Sequence, residues 1–140
     1  MPTSRSASIL VVDDEAGVRT TLHRQLAYQG HTVLEASHGV EALTLIRRAP
    51  ARVELVLADV VMPEMNGTEL AAILHTEYPE LPILLMSAYA PAGWTRVGIS
   101  QSIVPVLMKP FTSEQLVELI AIALDVRGTS RRASRPAATL

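Results

Sequence analysis

The sequence predicts an α/β protein, a three-layer sandwich in which helices cover both faces of a parallel sheet. Two observations predict it. Short, continuous apolar runs rich in β-branched residues mark strands buried on both faces. Between them lie helical segments of roughly ten residues or more, long enough for right-handed crossovers.

Each element follows in order. Ile9 to Val12 is the first strand, and it stops at Asp13-Asp14. Val18, Leu22 and Leu26 recur every four residues and Gly30 follows, giving an amphipathic helix with a glycine stop. Thr32 to Glu35 is the second strand; Val40, Leu43, Leu45 and Ile46 mark the helix after it, which ends before Pro50. Val53 to Leu57 is a third buried strand that stops at Asp59. A helix opens near Gly67, carries Leu70, Ile73 and Leu74 on one face, and ends before Pro79. Pro82 to Met86 is the fourth strand, followed by Ser87. Tyr89 to Ser102, broken by Pro91, Gly93 and Gly98, permits only a short or frayed helix. Val104 to Met108 is the fifth strand, and Pro105 within it argues for a sheet edge. Thr112 and Gln115 form a capping box for a last helix through Leu116, Leu119, Ile120 and Ala123. The domain is expected over residues 8–126, after a flexible N-terminus (1–7) and before a disordered basic tail (127–140).

Composition narrows the function classes. The 140 residues are 49% hydrophobic and 19% charged, which is globular composition for one domain. A net charge of −2 offers no global basic field for nucleic acid, and the four arginines of the tail come without aromatic residues. The absence of cysteine excludes disulfides and thiolate metal sites. No apolar run is long enough to span a bilayer and no signal peptide is evident, so a soluble, cytoplasmic protein is expected. His23, His31, His38 and His75 are scattered without metal-site spacing.

The chemistry concentrates elsewhere. Open parallel sheets bind ligands outside the carboxyl ends of their strands. Strand one ends in Asp13-Asp14, strand three in Asp59, strand four in Ser87 and strand five in Lys109-Pro110. Three of the four aspartates and the single lysine of the chain therefore fall at one sheet edge. Taken singly, each has an ordinary explanation: a helix N-cap, a turn aspartate before Pro63, a loop serine, a solvated lysine. Taken together at four strand ends, they argue for a site. Clustered carboxylates repel one another unless a cation neutralises them, and hard oxygen donors suit Mg²⁺. A carboxylate beside Mg²⁺, with an ammonium and a hydroxyl within reach, is suited to phosphoryl transfer.

The segments Val11-Val12-Asp13-Asp14-Glu15, Leu57-Ala58-Asp59-Val60-Val61-Met62-Pro63-Glu64-Met65-Asn66-Gly67, Met86-Ser87-Ala88 and Met108-Lys109-Pro110-Phe111 occur in this order. In them the chain resembles the receiver domain of bacterial two-component response regulators, over about residues 8–125. The resemblance implies a flavodoxin-like (βα)5 fold with strand order 2-1-3-4-5. It implies Asp59 as phosphoacceptor for a phosphoryl group from a histidine kinase or histidine phosphotransfer protein. It implies Mg²⁺ held by Asp14 directly, Asp13 largely through water, Asp59, and the backbone carbonyl of Val61. Ser87, the backbone N–H of Ala88, and Lys109 would bind the phosphoryl group. Pro110 would follow a cis peptide bond, and Pro63 and Gly67 would shape the loop beside the acceptor. The domain would act as a switch or relay, stand-alone or from a hybrid kinase, rather than as an enzyme with its own small-molecule turnover. Two departures stand out: Val106 replaces the aromatic often found three residues before the lysine, and the hydrolysis-tuning positions Val61 and Tyr89 carry no acid or amide. A slowly hydrolysing acyl phosphate is therefore expected. The alternatives are a Mg²⁺-dependent aspartyl-phosphate phosphatase, which needs an acid where Val61 stands, and a binding module that signals without phosphate.

Overall fold

A computed structural model describes the backbone of residues 6–88, 94–99 and 102–134, with side-chain surroundings for 6–88 and 104–125. The elements are β1 (Ser8–Val12), α1 (Ala16–Tyr28), β2 (Thr32–Ala36), α2 (Gly39–Arg48), a 3-10 turn (Pro50–Arg52), β3 (Leu55–Asp59), α3 (Gly67–Glu77), β4 (Ile83–Ser87), β5 (Trp94–Ile99), β6 (Ser102–Met108) and α4 (Ser113–Ser134). They build one six-stranded sheet in the order β2-β1-β3-β4-β6-β5. The first five strands of that order are parallel, so the parallel part has the expected 2-1-3-4-5 arrangement.

The continuous apolar runs are explained by burial on both faces. Along a strand, successive side chains point to opposite sides. Leu10, Val12, Val56, Ala58, Leu85, Val104 and Val106 join a core that includes Ala42, Ile46, Leu70 and Leu74 of α2 and α3. Ile9, Val11, Leu55, Leu57, Leu84, Met86 and Leu107 join the opposite core, with Leu22 and Leu26 of α1 and Leu116, Leu119 and Ile120 of α4. Both cores are dry: every one of the residues from Ile9 to Val12 and from Leu55 to Ala58 is 0% exposed. A polar residue in either run would strand an unpartnered group between layers.

The helix ends carry their own signals. Asn66 caps α3, accepting from Glu69 N–H (2.8 Å) while Glu69 accepts from Asn66 N–H (2.9 Å), a reciprocal capping box. Thr112 and Gln115 form the expected second box at α4, with bonds of 2.9 and 3.0 Å. His38 caps α2 through its ring, accepting from Glu41 N–H at 3.1 Å.

Two expectations need correction. The segment from Trp94 is not a helix but a strand, antiparallel to β6, with Ile99 opposite Ser102. Gly98 weakens a helix there, while tryptophan, threonine, valine and isoleucine favour an extended chain. β5 is therefore the sheet edge and β6 is interior, contrary to the inference from Pro105. The proline is tolerated because the ladder to β4 begins only at Val106, one residue later. The last helix, α4, spans Ser113–Ser134. Gly128 within it costs a helix only about 1 kcal/mol. At the other terminus, residues 1–5 lie outside the described part, whereas Ala7 is buried and tied down: its N–H donates to His31 Nδ1 (3.1 Å) and its carbonyl accepts from Thr32 N–H (2.9 Å).

Candidate phosphoryl and cation site

Sheet register brings the candidate residues together. Val12 lies level with Ala58, Asp59 with Met86, and Ser87 with Met108. Asp13, Asp59, Ser87 and Lys109 thus leave four neighbouring strands at the same height. Lys109 is tied to β4 directly, since its N–H donates to the Ser87 carbonyl at 2.8 Å. The sequence-predicted convergence is present in the structure.

Carboxylate oxygens of Asp13, Asp14 and Asp59 lie within 4.8 Å of one another. Asp13 is fully buried, Asp59 is 8% exposed, and Asp14 is exposed. The Lys109 ammonium reaches Asp59 Oδ2 at 3.2 Å and Asp13 Oδ2 at 3.4 Å. The remaining oxygens are oriented by backbone: Glu15 N–H donates to Asp13 Oδ1 (2.9 Å) and Val61 N–H to Asp59 Oδ1 (3.3 Å). Asp13 therefore serves as a turn residue bonding two positions on, not as a side-chain cap, and Glu15 at the α1 N-cap makes no side-chain cap bond.

Burial pushes the Asp13 carboxyl above its usual range, opposed by the Glu15 N–H and the Lys109 charge and reinforced by the Asp59 charge. At Lys109 burial works against the ammonium, but the Asp13 and Asp59 charges outweigh it and raise its pKa. Fully ionised, three carboxylates against one ammonium leave two negative charges uncompensated, the charge of one divalent cation. The donor set is oxygen only, which suits a hard ion.

The surrounding loop is shaped by close approach. Gly67 N–H donates to the Val60 carbonyl at 2.8 Å. A β-carbon at Gly67 would stand 2.3 Å from the Asp59 carbonyl oxygen, so a larger residue enters only if the backbone shifts. Pro63 lies in this loop, its carbonyl accepting from Met65 N–H at 2.7 Å, and Glu64 between them takes a left-handed φ of 68°. Val61 is 55% exposed beside the acids. Ser87 is buried at the end of β4 and Ala88 is exposed beyond it. The Lys109–Pro110 peptide is cis. Val106 is packed into the core on the α2 and α3 side. Tyr89 lies outside the described residues.

Arg19 escaped the sequence reading. Its Nη1 donates to the Asp13 carbonyl at 2.6 Å. A contact from a helix to a backbone oxygen leaves no mark in composition or spacing; only its place one turn into the helix after the acids could have hinted at it.

Three of the four histidines hold local structure. His31 is buried as an acceptor for Ala7, His38 is a cap, and His23 Nδ1 lies 2.7 Å from Glu35 Oε2. Among the described residues, no helix is long and apolar enough to cross a membrane.

Comparison with known proteins agrees with the geometry. The sequence profile of the response regulator receiver domain matches residues 9–121. The chain is 37% identical over 122 residues to the sensor kinase CckA of Brucella abortus, covering 87% of this chain and 13% of that protein. It is 38% identical over 112 residues to the response regulator MprA of Mycobacterium ulcerans, covering 80% of this chain and 47% of MprA. The chain thus spans less than half the length of either relative. Among solved structures, the receiver domain of the hybrid histidine kinase CckA superposes with a TM-score of 0.70 at 30% identity, covering 84% of this chain and 99% of that one. The chemotaxis protein CheY4 of Vibrio cholerae gives 0.73 at 26% identity, covering 86% and 100%. With its profile match, its parallel sheet and its acidic pocket, the chain belongs to the response regulator receiver domains of two-component signal transduction.

Proposed function

We propose that this domain accepts a phosphoryl group on Asp59 from a phosphohistidine donor, with Mg²⁺ bound, and so acts as a signalling switch or relay. The observation that carries the reading is the Lys109 ammonium bridging Asp59 and Asp13 inside a three-carboxylate pocket.

Asp13, Asp14 and Asp59 would hold the ion together with the Val61 carbonyl. When bound, Mg²⁺ supplies positive charge to the oxygens of the transferring group. The chain's own residues do the rest. An Asp59 carboxylate oxygen attacks phosphorus, the P–N bond to the donor imidazole breaks with its electron pair leaving on nitrogen, and an acyl phosphate forms. Lys109, already within 3.2 Å of Oδ2, turns from the carboxylate to the phosphoryl oxygens. Ser87 and the Ala88 N–H supply donors from the end of β4. Pro63, Gly67 and Pro110 fix the loops that carry these groups.

The partner class is a histidine kinase or histidine phosphotransfer protein, without direct nucleic-acid contact. Phosphorylation adds about one to two negative charges at the sheet edge, enough to bias a two-state surface. With Val106 already packed in the core, that bias passes through Ser87 and the loops rather than through an aromatic side chain swinging at position 106.

The experiment is incubation with phosphoramidate and Mg²⁺ followed by intact mass. One added phosphoryl group, absent in Asp59→Asn and absent with EDTA, is expected. Sustained release of phosphate from a small phosphoester would favour a phosphatase instead, and no incorporation at all would leave a phosphate-independent binding module.

A further inference from the structure

The Asp13–Asp14 corner is braced by a side chain that touches neither carboxylate. Arg19 sends Nη1 to the Asp13 carbonyl at 2.6 Å and Nε to Glu35 Oε1 on β2 at 3.2 Å. Glu35 is held in turn by His23, one turn further along α1, at 2.7 Å. The guanidinium thus ties the β1–α1 corner to α1 and to the neighbouring strand, and its side chain is only 18% exposed. The carbonyl it grips belongs to the peptide unit joining Asp13 to Asp14. Because that unit is planar, fixing its oxygen fixes the direction in which the Asp14 chain continues. The same corner is held from the other side by Asp13 N–H on the Ala36 carbonyl (3.2 Å) and by Glu15 N–H on Asp13 Oδ1 (2.9 Å).

We propose that Arg19, anchored by Glu35, is a positioning residue that sets the divalent-cation affinity of the pocket. The proposal rests on the cation reading given above. Charge and geometry predict opposite signs for the loss of Arg19. Removing a positive charge near three carboxylates should tighten cation binding if Arg19 acts only through its field. Releasing the corner should weaken binding, because groups that orient ligands typically contribute 10-fold or more to metal affinity.

The test is calorimetric titration of the whole chain with MgCl₂, alongside urea midpoints measured without the ion. Arg19→Gln is expected to weaken Mg²⁺ binding by about 10-fold. Arg19→Lys is expected to recover little, since an ammonium lacks the fork that spans carbonyl and carboxylate. Glu35→Gln, which keeps the arginine charge, is expected to weaken binding by less. Adding it to Arg19→Gln should cost nothing further, because one unit is being broken twice. Unchanged or tighter binding in Arg19→Gln overturns the proposal, as does an additive double variant. If Arg19→Gln fails to fold, Arg19→Lys and Glu35→Gln decide by the same criteria. A wild-type chain that binds no Mg²⁺ fails differently: it overturns the cation reading itself.

Discussion

Gly67→Ala is a mechanical probe of how tightly α3 is set against the acceptor strand. The new methyl group would meet only backbone: the Asp59 carbonyl oxygen at 2.3 Å, and the Asp59 carbonyl carbon and Val60 Cα at 3.0 Å. None of these can rotate away, so α3 and the end of β3 must part by about 0.7 Å or more, which is an overpacking defect of about 1–3 kcal/mol. Helix propensity favours alanine by up to about 1 kcal/mol, so a net loss of about 1–2 kcal/mol remains. With a urea m-value of about 1.5–2 kcal/mol/M, the unfolding midpoint should fall by about 0.5–1.3 M. Gly17→Ala is the matched control. It lies in α1 with nothing within 4 Å of the added carbon, and should gain up to about 1 kcal/mol. Because the defect abuts Asp59, Gly67→Ala should also weaken Mg²⁺ binding. A Gly67→Ala midpoint equal to wild type with unchanged Mg²⁺ affinity would refute the steric reasoning.

Other outcomes follow from single contacts. His31 is buried, and burial disfavours its charged form, so its pKa lies below 6.5 in the folded chain. The unfolded chain then takes up the proton first; the stability His31 confers is intact above pH 6.5 and is lost as pH falls through the folded pKa. Urea midpoints at pH 7.5 and about 5.5 should fall more in wild type than in His31→Gln. Lys109→Met removes a cation that competes for Asp13 and Asp59, so Mg²⁺ titration should show binding tightened by about 3–10-fold. The acyl phosphate should persist for minutes or longer in purified protein, because Val61 presents an apolar side chain to solvent beside the acceptor and cannot orient water. Val61→Asn should shorten that lifetime several-fold in a phosphate-release assay, and a wild-type lifetime of seconds would contradict the argument.

The parts of the molecule governed by local pattern were legible in the sequence. Strands buried on both faces must be apolar throughout, so β1, β3 and β4 announce themselves, and a polar residue can enter only where each strand leaves the sheet. That is why Asp13, Asp59 and Ser87 mark the site. The Asn66–Glu69 box was present in the sequence as N-x-x-E, though the sequence reading placed only the start of that helix near Gly67. Other parts depend on tertiary pairing and carry no period. β5 exists because β6 offers it a ladder, and glycines at 93 and 98 say only that a helix is disfavoured there. Contacts such as Arg19 to the Asp13 carbonyl, or His31 to Ala7, join a side chain to distant backbone. No spacing rule encodes them.

Asp13 and Asp14, just after β1, and Asp59, at the end of β3, are placed to share one divalent cation. Anomalous diffraction from crystals soaked in Mn²⁺, a ion of the same oxygen-ligand preference, tests it directly. A single strong peak among the Asp13, Asp14 and Asp59 carboxylates, lost in Asp14→Asn, is the predicted result. A peak elsewhere, or one at that place that survives the loss of Asp14, would contradict it.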